Sequence, residues 1–321
     1  MIKKISINLL IIIFSFIFAF FVCEIILRFK HSISYDYDIE QWKYAKKLKI
    51  KHVNPKIGHI HLKNSSAFLQ GVEIKTNKYG QRDKNYNNED LNKFDRSFLF
   101  IGSSITLGWG VEYERTFIQR LNKLSDEDGK KWIYINGGIG NYNTERYVNN
   151  YFDNWKDLDF SDIAINFFVN DTEIINQDNS NFFTRHFQTG VILWKYINSL
   201  KFQYSEQNLS NYYKMKYMND FKGFKVAKME LQKISDHCKR EKKKCHLILM
   251  PDIHQLNPYK LHFINEKMKK ISQDLNFNYH DLLPALEDIR PSNLLWNKYN
   301  DPHPNILAHE LISESLNNFF K

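Results

Sequence analysis

Ser97-Phe98-Leu99-Phe100-Ile101-Gly102-Ser103-Ser104-Ile105-Thr106-Leu107-Gly108-Trp109-Gly110 divides into an apolar run and a glycine-rich turn. The run Ser97–Ile101 is short and rich in Phe, Leu and Ile, which suits a strand buried on both faces. The turn then sets two adjacent hydroxyls, Ser103 and Ser104, at the carboxyl end of that strand. In open α/β sheets, clefts lie outside the carboxyl ends of the strands. Glycine lets the backbone bend sharply there and lets a substrate come close. The stretch reads as a nucleophile turn or as a plain strand-to-helix connection.

Four further apolar segments follow it: Trp132–Ile135, Asp162–Phe168, Cys245–Met250 and Phe277–His280. They alternate with helical spacing over Glu114–Ser125, Thr144–Trp155, Phe221–Lys239, Pro258–Leu275 and Asn305–Phe320. This alternation predicts an α/β fold, a parallel sheet with helices on both faces. Residues 172–220 fit no βα unit; their aromatic and Asn-rich make-up reads as an insertion, a lid or substrate wall or a packed structural element.

Ahead of the first strand, residues 31–95 are polar and irregular. Arg82 among them pairs either with a carboxylate bracing the site or, more ordinarily, in a surface ion pair. Before that, Ile5–Leu27 is almost wholly apolar, and about 20 such residues span a bilayer. Lys3 and Lys4 precede it, and neither a short apolar core nor a small-residue cleavage site is present. The expectation is an uncleaved anchor, with the remaining chain on the extracytoplasmic side. Glu24 is expected to snorkel to the headgroups.

The net charge of +9 is interspersed with acidic residues and forms no arginine-rich block, which argues against nucleic acid as a partner. No Cys/His spacing reads as a zinc site, and the GxGxxG spacing of dinucleotide binding is absent. Cys238 and Cys245 either pair, in an oxidising compartment, or stay free.

Three more stretches carry candidate chemistry. Asn136-Gly137-Gly138-Ile139-Gly140 follows the second strand and is either an anion-binding nest or a flexible turn. Phe168-Val169-Asn170-Asp171 ends the third, where Asn170 donates a hydrogen bond to a ligand or serves as a cap. Asp301-Pro302-His303-Pro304-Asn305 precedes the last helix and holds His303 between two prolines.

Taken together, Gly102–Gly108, Asn136–Gly138, Phe168–Asp171 and Asp301–Asn305 resemble the blocks of the SGNH, or GDSL-type, hydrolase family, in that family's order. The resemblance runs from about residue 97 to 320, with Asn77–Asp83 similar to the lead-in of membrane-anchored members. It implies a flavodoxin-like three-layer sandwich with a parallel five-stranded sheet. It also implies Ser104 as nucleophile, His303 as general base, Asp301 as the triad acid, and an oxyanion hole of Ser104, Gly138 and Asn170.

Three departures stand out. The usual Asp before the nucleophile is Ser103, the usual Gly of the third block is Val169 or Phe168, and the position three before the His is Asn300. The implied activity is ester hydrolysis on an O-acyl group of a cell-envelope glycan or a small ester, with no metal or organic cofactor needed. The alternatives are O-acetyl transfer to an exported polysaccharide and a catalytically silent glycan-binding or scaffold protein.

Overall fold

The computed structural model describes residues 2–175, 181–199, 206–297 and 301–321. Asn300 and parts of the expected insertion, 176–180 and 200–205, lie outside the described residues. The chain forms two compact units, residues 1–46 with 178–204, and residues 47–177 with 205–321. The boundaries thus differ from those at 30 and 95 that composition suggested. Residues 47–95 are polar in composition but belong to the α/β unit, where Leu69, Ile74 and Arg82 are fully buried.

The smaller unit is helical: α1 (Ile2–Ile33), α2 (Tyr37–Lys47, whose last residue falls in the other unit), then α6 (Phe182–His186) and α7 (Gln188–Ser199). Its Ile7–Ile33 stretch is long and apolar enough to cross a membrane. Glu24 does not snorkel. It is 4% exposed and accepts hydrogen bonds from Arg28 Nε (2.7 Å), the Gln188 and Thr189 amides (3.1 and 2.9 Å) and the Thr189 hydroxyl (2.8 Å). A carboxylate at the start of α7 meets unpaired N–H groups and the positive end of the helix dipole, which holds it better than water at a distance.

Ahead of its main sheet the larger unit carries a small antiparallel pair, Lys49–Lys51 with His59–His61, and then a hairpin, β1 (Ser66–Leu69) and β2 (Val72–Lys75). Its sheet is built from β3 (Arg96–Gly102), β4 (Trp132–Gly138), β5 (Asp162–Phe168), β6 (Lys244–Met250) and β7 (Asn278–Asp281). All pairings are parallel, in the order β4-β3-β5-β6-β7. Counted along the chain this is 2-1-3-4-5, the flavodoxin-like order, with its switch point between the first and third strands. The expected parallel five-stranded sheet is therefore present.

Around it lie α3 (Ser104–Leu107), α4 (Phe117–Glu127), α5 (Thr144–Asn154), α8 (Lys222–Arg240), α9 (His262–Asp274) and α10 (Ile306–Phe320). Packing α4 on α10 and α5 on α8 completes the sandwich. The helix α4 starts at Phe117, not Glu114, because Thr116 caps it and Tyr113–Arg115 forms a 3-10 turn. Cys238 of α8 and Cys245 of β6 form a disulfide, with Cα atoms 6.2 Å apart.

Two glycines seat α3 directly on the sheet. A Cβ on Gly102 would stand 2.2 Å from Thr106 Oγ1, and one on Gly138 would stand 2.2 Å from the Leu107 amide nitrogen and 2.5 Å from the Thr106 carbonyl carbon. At Gly138 the obstacle is backbone, so no side chain can swing aside. Gly138→Ala is expected to cost about 3 kcal/mol of stability. The check is the urea midpoint; an unchanged midpoint contradicts this packing.

Buried imidazoles give the α/β unit a pH dependence. His309 of α10 stacks on Phe117 (ring centroids 5.6 Å apart) and accepts the Phe117 amide at Nδ1 (3.0 Å). Burial pushes its pKa down to about 3, and that of His61 down to about 4. Below pH 6.5 the unfolded chain takes up these protons and the folded chain does not. The contribution of these two imidazoles to stability is therefore expected to fall progressively from pH 6.5 toward pH 3. The urea midpoint of the wild type relative to that of His309→Gln should be lower at pH 4.5 than at pH 7; an equal difference at both pH values would contradict it.

Candidate active site

The sheet presents its carboxyl ends at one edge, and Ser104 stands at the end of the strand next to the switch point. Ser104 begins α3, after Ser103 in extended backbone (φ −90°, ψ −154°). Ser103 makes no side-chain cap, so nothing there replaces the carboxylate that the resemblance would have supplied. As the first residue of α3, Ser104 has a backbone N–H with no partner inside the helix. Thr106 Oγ1 accepts from Asn166 Nδ2 (3.0 Å), which ties α3 to β5.

The chain then returns from 199 residues downstream. Asp301–Pro304 (β9) pairs antiparallel with Leu295–Asn297 (β8). Asn305 follows as the N-cap of α10; its amide donates to the carbonyls of Asn293 (2.8 Å) and Leu295 (3.2 Å). This pins the two-proline segment and presents His303, which is 7% exposed. The Ser104 hydroxyl lies 2.7 Å from His303 Nε2, and His303 Nδ1 lies 2.7 Å from Asp301 Oδ1. The His303 amide also donates to Asp301 Oδ1 (3.0 Å). The carboxylate can only accept from Nδ1, so Nδ1 carries the proton and Nε2 faces the hydroxyl as an acceptor.

Asp301 is 1% exposed, and its second oxygen is also held. Gln70 Nε2 donates to Oδ2 at 2.6 Å and Trp109 Nε1 donates to it at 3.2 Å. Neither residue was singled out from the sequence. Trp109 lies between Gly108 and Gly110, at φ +75° and +74°, so the glycines that looked like substrate clearance instead turn an indole toward Asp301. Gln70 and Gly71 form the two-residue turn of the β1–β2 hairpin, at φ +50° and +80°. Such a turn favours Asn, Asp or Gly at its first position. A glutamine there accepts backbone strain, commonly about 1–3 kcal/mol, in a place where its side chain reaches the acid.

Arg82 is fully buried, which corrects the surface ion pair expected for it. Nη1 donates to the carbonyls of Leu107 (3.0 Å) and Gly108 (2.7 Å), and Nη2 to those of Val111 (2.8 Å) and Glu73 (3.1 Å). It therefore clamps the turn after Ser104 through backbone, and links that turn to the hairpin that carries Gln70.

Of the three expected oxyanion donors, Gly138 is the one whose N–H has a partner within its own strand. Its N–H already donates to Asn136 Oδ1 (2.9 Å), an Asx-type turn closed within β4, and its role is the close packing described above. Asn170 sits in a turn closed by the Asp171 amide on the Phe168 carbonyl (2.8 Å). One of its amide hydrogens goes to Glu173 Oε2 (3.0 Å), which fixes which way the amide faces. Burial raises the carboxyl of Glu173, and raises that of Asp171 well above the usual range. Val169, one of the departures in the third block, is fully buried in the core, and its carbonyl accepts the Tyr217 hydroxyl (2.8 Å). Among the described residues, no group of three or more His, Cys, Asp or Glu is arranged to hold a metal.

No family model matches the chain, and no curated protein matches it. Solved structures similar to it include the psychrotrophic esterase EstA from Pseudoalteromonas sp., at 14% identity and TM-score 0.46, covering 70% of this chain and 97% of that one. TesA is similar at 12% identity and TM-score 0.44, covering 70% of this chain and 98% of that one. The acetylxylan esterase Axe2 from Geobacillus stearothermophilus is similar at 15% identity and TM-score 0.46, covering 70% and 94%.

Proposed function

We propose that this chain is a serine ester hydrolase of the SGNH type, working through Ser104, His303 and Asp301. The observation that carries the reading is the continuous chain of contacts from the Ser104 hydroxyl through the His303 ring to Asp301, 2.7 Å at each step. His303 Nε2 takes the Ser104 proton as Oγ attacks an ester carbonyl. His303 then returns that proton to the departing alcohol, leaving an acyl group on Ser104. Water, deprotonated by the same nitrogen, releases the acid and regenerates the hydroxyl. The Ser104 amide and the free hydrogen of the Asn170 amide are the donors assigned to the developing oxyanion. One such donor is commonly worth about 3–4 kcal/mol of barrier.

The substrate we assign is an O-acyl ester on a glycan of the cell envelope. Two features support an extracytoplasmic seat: the apolar Ile7–Ile33 helix and the disulfide, a bond that persists in oxidising compartments. The stretch read as an insertion is not one element: Phe182–Ser199 belongs to the helical unit.

The test is labelling of the full chain with a fluorophosphonate, alongside acetate release from an acetylated oligosaccharide. Labelling that His303→Ala abolishes supports the hydrolase. An unlabelled protein that still binds glycan as Ser104→Ala is a binding protein. A glycan acceptor that lowers free acetate while becoming acetylated marks transfer instead.

A further inference from the structure

The helix α7 is inverted relative to a helix on a water-facing surface. Leu193, Trp194, Tyr196 and Ile197 share one face and are 55%, 57%, 66% and 55% exposed. On its inward side Val191 is buried, and Lys195 pairs with Asp38 (2.7 Å) and Asp36 (3.3 Å) of the same unit. An amphipathic helix in water turns its apolar stripe inward and its charges outward. Here the lysine lies against Asp36 and Asp38 of its own unit, and the apolar stripe faces out. Phe182 and Phe183 of α6 continue the apolar face, at 64% and 57% exposed.

This face is continuous with the apolar surface of α1. Phe20 of α1 packs against Phe183 and Phe187, with ring centroids 6.3 and 5.1 Å apart. One turn further on, Glu24 joins α1 to the start of α7 through the Gln188 and Thr189 amides. From Ile5 to Glu24, α1 rises about 28 Å at about 1.5 Å per residue, close to the hydrocarbon thickness of a bilayer. The joint therefore falls where hydrocarbon gives way to headgroups. Cations gather nearby: Arg28, one turn on in α1, lies 5.9 Å and Lys46 of α2 4.1 Å from the ring centre of Trp42 in α2. Trp and Tyr beside basic residues are the usual composition at that depth.

We propose that α6 and α7 are seated in the outer lipid interface beside α1, so that this protein meets the bilayer through a second, interfacial surface as well as a spanning helix. The occupant of the Leu193–Ile197 face is phospholipid. The proposal takes α1 as spanning and is independent of the ester chemistry.

The test uses the full chain with Cys23→Ser, reconstituted in phosphatidylethanolamine–phosphatidylglycerol vesicles carrying nitroxide-labelled lipid. An environment-sensitive fluorophore is attached singly at Leu193→Cys, Ile197→Cys, Phe16→Cys or Lys123→Cys. The expected result is several-fold quenching at positions 16, 193 and 197, with none at 123. Quenching at 16 while 193 and 197 behave like 123 overturns the proposal and leaves the spanning helix intact. Absence of quenching at 16 as well overturns both.

Discussion

Ser104→Ala is expected to lower turnover of an acetyl ester by roughly 10⁴- to 10⁶-fold. The hydroxyl has no substitute: Ser103, its neighbour, is 7% exposed and forms the cap position of α3. The loss should fall on kcat with little change in KM, because the removed group forms a bond only along the reaction path. Melting temperature should stay within a degree or two, since truncation removes one partly buried hydroxyl and leaves α3 seated on Gly102 and Gly138. Steady-state kinetics with 4-nitrophenyl acetate reads this directly. A variant that keeps more than about a tenth of the activity would remove Ser104 from the reaction.

Asp301→Asn is expected to lower kcat by about 10⁴-fold. The carboxylate accepts four hydrogen bonds, two from His303 and one each from Gln70 and Trp109. An amide in its place can accept at only one oxygen and must direct N–H groups at donors. The cheapest remedy is to flip the His303 tautomer, which puts a hydrogen on Nε2 facing Ser104 and removes the base. Activity in the variant should recover partly at high pH, where hydroxide or the serine alkoxide needs no base. A pH–rate profile with the same shape and only a modest drop would show that Asp301 positions nothing. Gln70→Ala offers a milder version, with loss in kcat and an intact His303–Asp301 contact.

The sheet was legible because four of its five strands are short apolar runs buried on both faces, while the edge strand Asn278–Asp281 is only partly buried. Its extent was less so: β4 reaches Gly138 because Gly137 and Gly138 pair with Ile101 and Gly102, and a glycine pair at a strand end looks like a loop. The hydroxyl, imidazole and carboxylate could be read because each lies in a short motif beside a strand or helix end. Gln70 and Trp109 could not, since the first reaches Asp301 across 231 residues and the second lay hidden between two turn glycines. A backbone amide's partner is likewise invisible in a one-dimensional pattern, which is why Gly138 looked available for an oxyanion. Glu24 misled for a related reason: its neighbours at Gln188 and Thr189 lie 164 and 165 residues away.

The clamp that Arg82 and the Gln70 turn place on the α/β body carries a practical consequence. A fragment cut at residue 96, just before the first sheet strand, would lack a partner of the acid, the arginine that holds the segment after the nucleophile, and the buried Leu69 and Ile74. Trimming instead at about residue 47 keeps them, though the segment 178–204 would still have to be excised or replaced by a short connector. Surveys of activity in truncated chains should therefore distinguish a dead enzyme from one that has merely lost its collar.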